Sequence, residues 1–258
     1  MLFVSDDYIA VIDGVTSKSD FSFEGRTTGK LAAEIIRNVL SSLPKDATVD
    51  QFLDEVNREI CAFYEKVEFP YSRAQQGLQA VCVVYSNHYR QIWTIGDCQS
   101  CIDQKSHMNP KASDDILAEM RSLVLNIVRA EDPVRFTEPA MQKMARELIE
   151  PWILRATIFA NSNDTNYGYA IINGQKIPKS LVKIILLDDN EHEVILTSDG
   201  YPEIRGTLEA SETYLQKVLT TDRECCNLYH STKGVKEGCC SFDDRTYIRF
   251  TVDRNVKN

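Results

Sequence analysis

The sequence predicts a single α+β domain in which antiparallel sheets are covered by helices. Three observations lead there. Apolar runs rich in β-branched and aromatic residues are joined mostly by short turns, helical periodicities collect in pairs between them, and 258 residues with 43% hydrophobic, 26% charged, 11 Gly and 8 Pro suit one globular unit. No internal repeat or low-complexity linker interrupts the chain, so residues 1–258 are expected to form one domain.

The first strand is Tyr8-Ile-Ala-Val-Ile-Asp13-Gly14. Leu31, Ala32, Ile35, Ile36, Val39, Leu40 and Leu43 then recur at helical spacing, as do Phe52, Leu53, Val56, Ile60 and Phe63. Pro44 separates these two helices, and Thr48 or Asp50 can cap the second by accepting a bond from its free amides. Residues 78–85 and 89–95 read as a hairpin turning at Ser86-Asn87-His88. Helical periodicity returns over 114–128 and 140–153, the second stretch starting after Pro139 and kinking at Pro151, where a backbone donor is missing. Strands follow at 167–172, 181–187 and 193–198, with Asn173-Gly174 and Asp188-Asp189-Asn190 as turns. A helix over 212–219 capped by Ser211 precedes a last strand over 246–252.

Lys plus Arg number 29 and Asp plus Glu 38, a net charge of −9, which disfavours nonspecific binding to nucleic acid or an anionic membrane. The longest apolar runs fall far short of the ~20 residues that cross a bilayer. The start reaches Asp6 and Asp7 before an apolar core forms, so no secretion signal is read and a cytoplasmic location is expected. The eight cysteines are therefore expected to be reduced thiols. Cys225-Cys226 and Cys239-Cys240 lack the gaps of zinc knuckles, Cys98-x-x-Cys101 stands alone, and His88, His107, His192 and His230 have no metal-type spacing.

The chemistry lies in the carboxylates. Three apolar runs end alike, in Asp13-Gly14, Gly96-Asp97 and Ser198-Asp199-Gly200, each with an Asp at the C-terminal end beside a Gly that permits a sharp turn. Asp243-Asp244 opens the last strand instead. Any one Asp-Gly pair is also an ordinary turn. If the strands are neighbours, the acids meet at one sheet edge and repel by several kcal/mol at an effective dielectric of about 20, so the cluster calls for protons or cations. Oxygen ligands without His or Cys select hard ions such as Mg²⁺ or Mn²⁺.

These motifs, in order, resemble the metal-dependent PPM, or type 2C, serine/threonine protein phosphatases. Asp13-Gly14, Gly96-Asp97, Ser198-Asp199-Gly200 and Asp243-Asp244-Arg-Thr246 carry the resemblance, supported by Gly29-Lys-Leu-Ala-Ala33 and Gly77-Leu-Gln-Ala80. The resemblance implies a four-layer α-β-β-α sandwich of two antiparallel sheets flanked by helices. It implies that Asp13 bridges two Mg²⁺ or Mn²⁺ ions, that the Gly14 carbonyl contributes a ligand, and that Asp199 and Asp243 complete the protein ligands. Asp97 with Asp199 would form a third, weaker metal site. Water activated by two metals would then hydrolyse phosphoserine or phosphothreonine in a phosphoprotein substrate, with Asp13, Asp199 and Asp243 as the catalytic set.

The chain departs from the family pattern at its start. The N-terminal strand that in relatives carries a phosphate-gripping Arg and an acidic residue is read as missing, with Asp6 and Asp7 in a turn, and Val15 stands where some relatives have His. Lys18 or Arg26 could substitute as the phosphate clamp, although solvated surface charge is the commoner role for such side chains. Arg245 reads as a counter-charge to the acidic pair beside it. Residues 103–165 fall where relatives carry a variable segment near the cleft. A pseudophosphatase that binds phosphoproteins without turnover is the alternative function. An N-terminal-nucleophile hydrolase is disfavoured because Leu2 follows Met1 and exposes no nucleophile.

Overall fold

The computed structural model describes residues 1–136 and 139–254. A short strand, β1 (Leu2–Val4), precedes β2 (Tyr8–Gly14) and pairs with it antiparallel, Leu2 opposite Val11, with Asp6 and Asp7 in the bend between. This corrects the expectation that the chain begins directly with the Asp13 strand. Three residues are too few to show a period, and only pairing with β2 defines β1 as a strand.

A two-residue ribbon, β3 (Ser22–Phe23) with β4 (Arg26–Thr27), leads into α1 (Thr28–Ser42) and α2 (Val49–Lys66). Thr27 caps α1, and Thr48 caps α2 through a capping box: the Thr48 hydroxyl accepts from the Gln51 amide at 3.3 Å while Gln51 Oε1 accepts from the Thr48 amide at 2.8 Å. One turn, α3 (Arg73–Gln76), precedes the hairpin β5 (Ala80–Ser86) and β6 (Gln91–Ile95). A second hairpin follows, β7 (Gln99–Ile102) and β8 (Lys105–His107). The helical segment comprises α4 (Ala112–Glu131), α5 (Pro133–Phe136) and α6 (Pro139–Arg155), the last running through Pro151. β9 (Lys183–Leu186), β10 (His192–Thr197), α7 (Leu208–Thr221) and β11 (Tyr247–Val252) complete the order.

Two antiparallel sheets result, one in the order β1-β2-β5-β6-β9 and one in the order β11-β10-β7-β8. Side chains alternate across a strand, and β2 divides its residues accordingly. Ala10 and Ile12 pack with Ile36 of α1, Phe52, Val56 and Ile60 of α2, and Trp93. Val11 turns the other way and packs with Val83, Val194 and Leu196. The far side of the second sheet packs Cys101 and Ile195 with Ile204, and Tyr247 of the same sheet reaches the cluster of Tyr201 with Leu215 and Leu219 of α7. Helices, sheet, sheet and helix therefore stack as four layers. None of the helices among the described residues is long and apolar enough to cross a membrane.

Two further expectations change, and one strand has no signature in the residue order. Residues 167–172 form isolated bridges, Ala160 with Tyr169 and Ala80 with Ile172, not a strand. The Asn161 side chain takes the strand partner's place, donating to the Ile171 carbonyl and accepting from its amide, both at 2.9 Å. The last helix starts earlier than 212: Thr207 caps it, accepting from the Ala210 amide at 3.1 Å, while Ser211 lies buried in the first turn and donates to the Thr207 carbonyl. β7 has no apolar alternation, yet all four of its residues are buried between β8 and β10.

Candidate active site

The sheet topology brings the acidic motifs together. Asp13 lies at the end of β2, Asp97 just past β6, Asp199 just past β10, and Asp243-Asp244 shortly before β11. All five carboxylates and Gly14 line one cavity of about 1760 Å³.

Close backbone approach fixes these turns. A Cβ on Gly14 would lie 2.3 Å from the Gly29 carbonyl oxygen, so the Asp13 turn and the first turn of α1 can touch only because both positions are glycine. A Cβ on Gly200 would lie 2.2 Å from the Asp244 carbonyl oxygen. The Asp199 and Asp243 loops are also tied directly, with the Thr246 amide donating to Ser198 Oγ at 3.0 Å and the Ser198 amide to the Thr246 carbonyl at 3.2 Å.

Gathering acids this way raises their proton affinity. Burial, and then the charge of Asp244, push Asp13 up to about 6, against a hydrogen bond with Asp199 that works the other way. Burial, followed by the charges of Asp97, Asp243 and Asp13, pushes Asp199 up to about 9. Asp97 is raised by burial and by Asp114, and Asp243 by burial against the opposing pull of Lys233. Asp199 Oδ1 is buried without a hydrogen-bond partner. An all-oxygen set that resists ionisation and leaves a buried oxygen unpaired fits a hard divalent cation in donor chemistry. Among the described residues no three His, Cys, Asp or Glu side chains already stand in a ligating group. Lys233 Nζ instead sits 2.6 Å from Asp243 Oδ2.

No protein-family model matches the chain, and no curated protein matches it. Solved structures do. The catalytic domain of the serine threonine protein phosphatase PstP in complex with two manganese ions is 14% identical, over 85% of this chain and 76% of that one, with a TM-score of 0.43. The Mycobacterium tuberculosis serine/threonine phosphatase PstP/Ppp is 11% identical over 86% and 78%, also at 0.43. A bacterial serine phosphatase is 13% identical over 97% and 87%, at 0.45. The chain is similar to serine/threonine phosphatases.

The two candidate clamp residues separate. Lys18 lines the cavity, and burial, then the charge of Arg146, lower its proton affinity. Arg26 is not among the lining residues; its guanidinium is held by Glu24 and, at 3.0 Å, by Glu34. Arg245 is not the counter-charge of Asp243-Asp244. It grips Glu212 through two bonds of 2.7 and 2.8 Å, and Lys233 supplies the cation beside Asp243.

Lys111, Arg146 and Lys233 on the cavity wall escape sequence reasoning. Lys111 lies 3.0 Å from Asp114 Oδ1 and 4.3 Å from the centre of the Tyr169 ring. Arg146 donates to the Thr232 carbonyl at 2.9 Å. The loop that carries Lys233 is strapped at its base, where Asp222 accepts from the amides of Cys226, Asn227, Leu228 and Tyr229. The buried Arg121 guanidinium donates to the Glu224 and Ser231 carbonyls at 2.9 and 3.1 Å. None of these residues sits in a motif; the signal for them is the fold.

Proposed function

We propose that this protein is a Mg²⁺- or Mn²⁺-dependent hydrolase of phosphoserine and phosphothreonine monoesters in proteins. The observation that carries the reading is the convergence of Asp13, Asp97, Asp199 and Asp243 from four separate chain segments in one cavity whose wall bears Lys18, Lys111, Arg146 and Lys233. Asp13, the Gly14 carbonyl, Asp199 and Asp243 would hold two ions, and Asp97 with Asp199 a third. Such ions supply activation of water and offset negative charge on phosphoryl oxygens.

The chain's own residues do the rest. Asp13 and Asp199 are half-buried and hold protons more tightly than ordinary carboxyls, so a divalent cation would have to displace a proton to take their oxygens as ligands. Lys18 and Arg146 share one side of the cavity with Glu150 and Asp114, and would serve there as donors to a phosphoryl group. Lys233, 2.6 Å from Asp243 Oδ2 on the same wall, would be a third donor to the phosphoryl group. The walls from α4 and α6 leave room for a peptide, and the sequence favours a cytoplasmic phosphoprotein as partner over nucleic acid or membrane.

One observation favours a second reading, a phosphoprotein-binding module without turnover: the Lys233–Asp243 pair already neutralises part of the site. Hydrolysis of p-nitrophenyl phosphate and of a phosphothreonine peptide, measured with Mn²⁺ and again after chelation, separates the two. Metal-dependent turnover that disappears in Asp13→Asn and Asp199→Asn supports the enzyme. Absence of turnover together with retained phosphopeptide binding replaces it with the binding module.

A further inference from the structure

Tyr229 lines the cavity that holds the acidic motifs and belongs to none of them. The backbone around it is tied on both sides. The Tyr229 amide donates to Asp222 Oδ2 at 3.2 Å, His230 Nδ1 lies 2.6 Å from Glu119 Oε1 of α4, and the Ser231 carbonyl accepts from Arg121 at 3.1 Å. The ring is held as well. It packs on the cluster of Tyr201, Leu215, Leu219, Cys225 and Phe242, with its centre 5.3 Å from that of Phe242, the residue before Asp243. A side chain held in this way is in place before a ligand arrives, as a preorganised donor must be.

Its hydroxyl is unengaged. Among the described residues it has no hydrogen-bond partner, whereas Tyr8 and Tyr201 close theirs on the Pro44 carbonyl at 2.6 Å and on Glu212 at 2.7 Å. Burial, and next the charge of Asp199, raise the proton affinity of the phenol, and Asp243 adds to the effect. The group therefore stays a neutral donor at neutral pH, within electrostatic reach of two of the acids. The cations of the wall are differently placed, because each already has a partner in the chain. Lys233 stands 2.6 Å from Asp243, Lys111 stands 3.0 Å from Asp114, and Arg146 donates to the Thr232 carbonyl at 2.9 Å. A phosphoryl group brings three strong acceptor oxygens into the cavity, and the Tyr229 proton has no competing acceptor to leave.

We propose that the Tyr229 hydroxyl is a further catalytic residue, a hydrogen-bond donor to a non-bridging oxygen of the bound phosphoryl group. The inference rests on the proposed hydrolase reading and adds to it a group that none of the acidic motifs contains. No proton is transferred; the hydroxyl contributes a bond to a charged acceptor.

Tyr229→Phe tests this, since it keeps the ring on Phe242 and removes the hydroxyl. The expected result is a fall of about 10- to 100-fold in kcat/KM, the range for a hydrogen bond to a charged group. The loss should be equal for p-nitrophenyl phosphate and a phosphothreonine peptide, because both present the same non-bridging oxygens. Affinity for inorganic phosphate in excess Mg²⁺, titrated calorimetrically, should weaken by about 5-fold or more. Mg²⁺ affinity without phosphate and the melting temperature should stay at wild-type values, which separates a lost donor from a displaced Asp243. Unchanged phosphate affinity overturns the proposal. So does a loss confined to the peptide, which would put the hydroxyl on the leaving oxygen, and so does a loss of Mg²⁺ affinity, which would make Tyr229 a support of Asp243. Wild-type protein that hydrolyses neither substrate and binds no phosphate overturns the hydrolase reading, and this inference with it. Wild-type turnover that Tyr229→Phe leaves intact overturns this inference alone.

Discussion

Replacing Asp199 by asparagine is expected to strengthen the metal-free protein and to remove its response to metal. With the carboxyl pushed up from 3.8 to about 9, the folded chain keeps a proton at pH 7 that the unfolded chain has lost. The unfolded state binds fewer protons between these values, so stability falls as pH rises from about 4 toward about 9. At pH 7 the cost is 1.36 kcal/mol for each of the 3.2 pH steps above 3.8, an upper bound of about 4 kcal/mol. Asp13 shares part of that cost through the same hydrogen bond, so about 2–4 kcal/mol is the working range. Asparagine keeps the shape and a donor toward Asp13 without the charge. For a domain of this size the gain corresponds to roughly 5–10 °C. Calorimetric melting in chelator at pH 7.5 should show Asp199→Asn above wild type, and the gap should shrink to about 1 kcal/mol at pH 4.5. With Mn²⁺ at 100 times its dissociation constant, wild type gains about 2.7 kcal/mol and the variant does not. A variant less stable than wild type in chelator at pH 7.5, or a gap that ignores pH, would refute the reasoning.

Other perturbations test the frame around the site. Lys233→Met should raise the affinity for Mn²⁺ in calorimetric titration, because the ammonium 2.6 Å from Asp243 no longer competes, while the KM for a phosphopeptide rises; unchanged metal affinity would remove Lys233 from the site. Gly200→Ala forces a Cβ to within 2.2 Å of the Asp244 carbonyl oxygen and should destabilise by about 1–3 kcal/mol in urea unfolding, with loss of metal binding as the Asp199 and Asp243 loops part. Arg121→Met leaves the buried Glu224 and Ser231 carbonyls without their donor and should cost about 3 kcal/mol, with faster proteolysis of the loop that carries Lys233. His192 stands between Asp103 at 2.7 Å and Asp188 at 2.9 Å, and its proton affinity is raised chiefly by the bond to Asp103. Its contribution, about 1 kcal/mol, is therefore complete below the unfolded value of about 6.5 and is lost as pH rises through the higher folded value, so His192→Asn should cost stability at pH 5.5 and little at pH 8.5.

Much of this was legible in the chain. The periodicities that mark α1, α2, α4, α6 and most strands are local, because burial on one face writes a period of 3.6 or 2 directly into the residue order. The acidic motifs were legible for the same reason: an Asp beside a Gly at the end of an apolar run is a local signature. What the chain order alone did not carry was whatever depends on a partner distant in sequence. β1 and β7 are strands only because β2, β8 and β10 lie beside them, and residues 167–172 fail to become one because the Asn161 side chain occupies the pairing edge. Arg245 has an acidic pair next to it in sequence and is bound to Glu212 in space, while Lys233, ten residues before Asp243, closes the ion pair. The residue order alone determined which groups could bear the chemistry, since side-chain type and local spacing need no fold. The tertiary structure decided which of them meet, how deeply they are buried and which cation faces them, because burial and electrostatic coupling depend on distance through space and not along the chain.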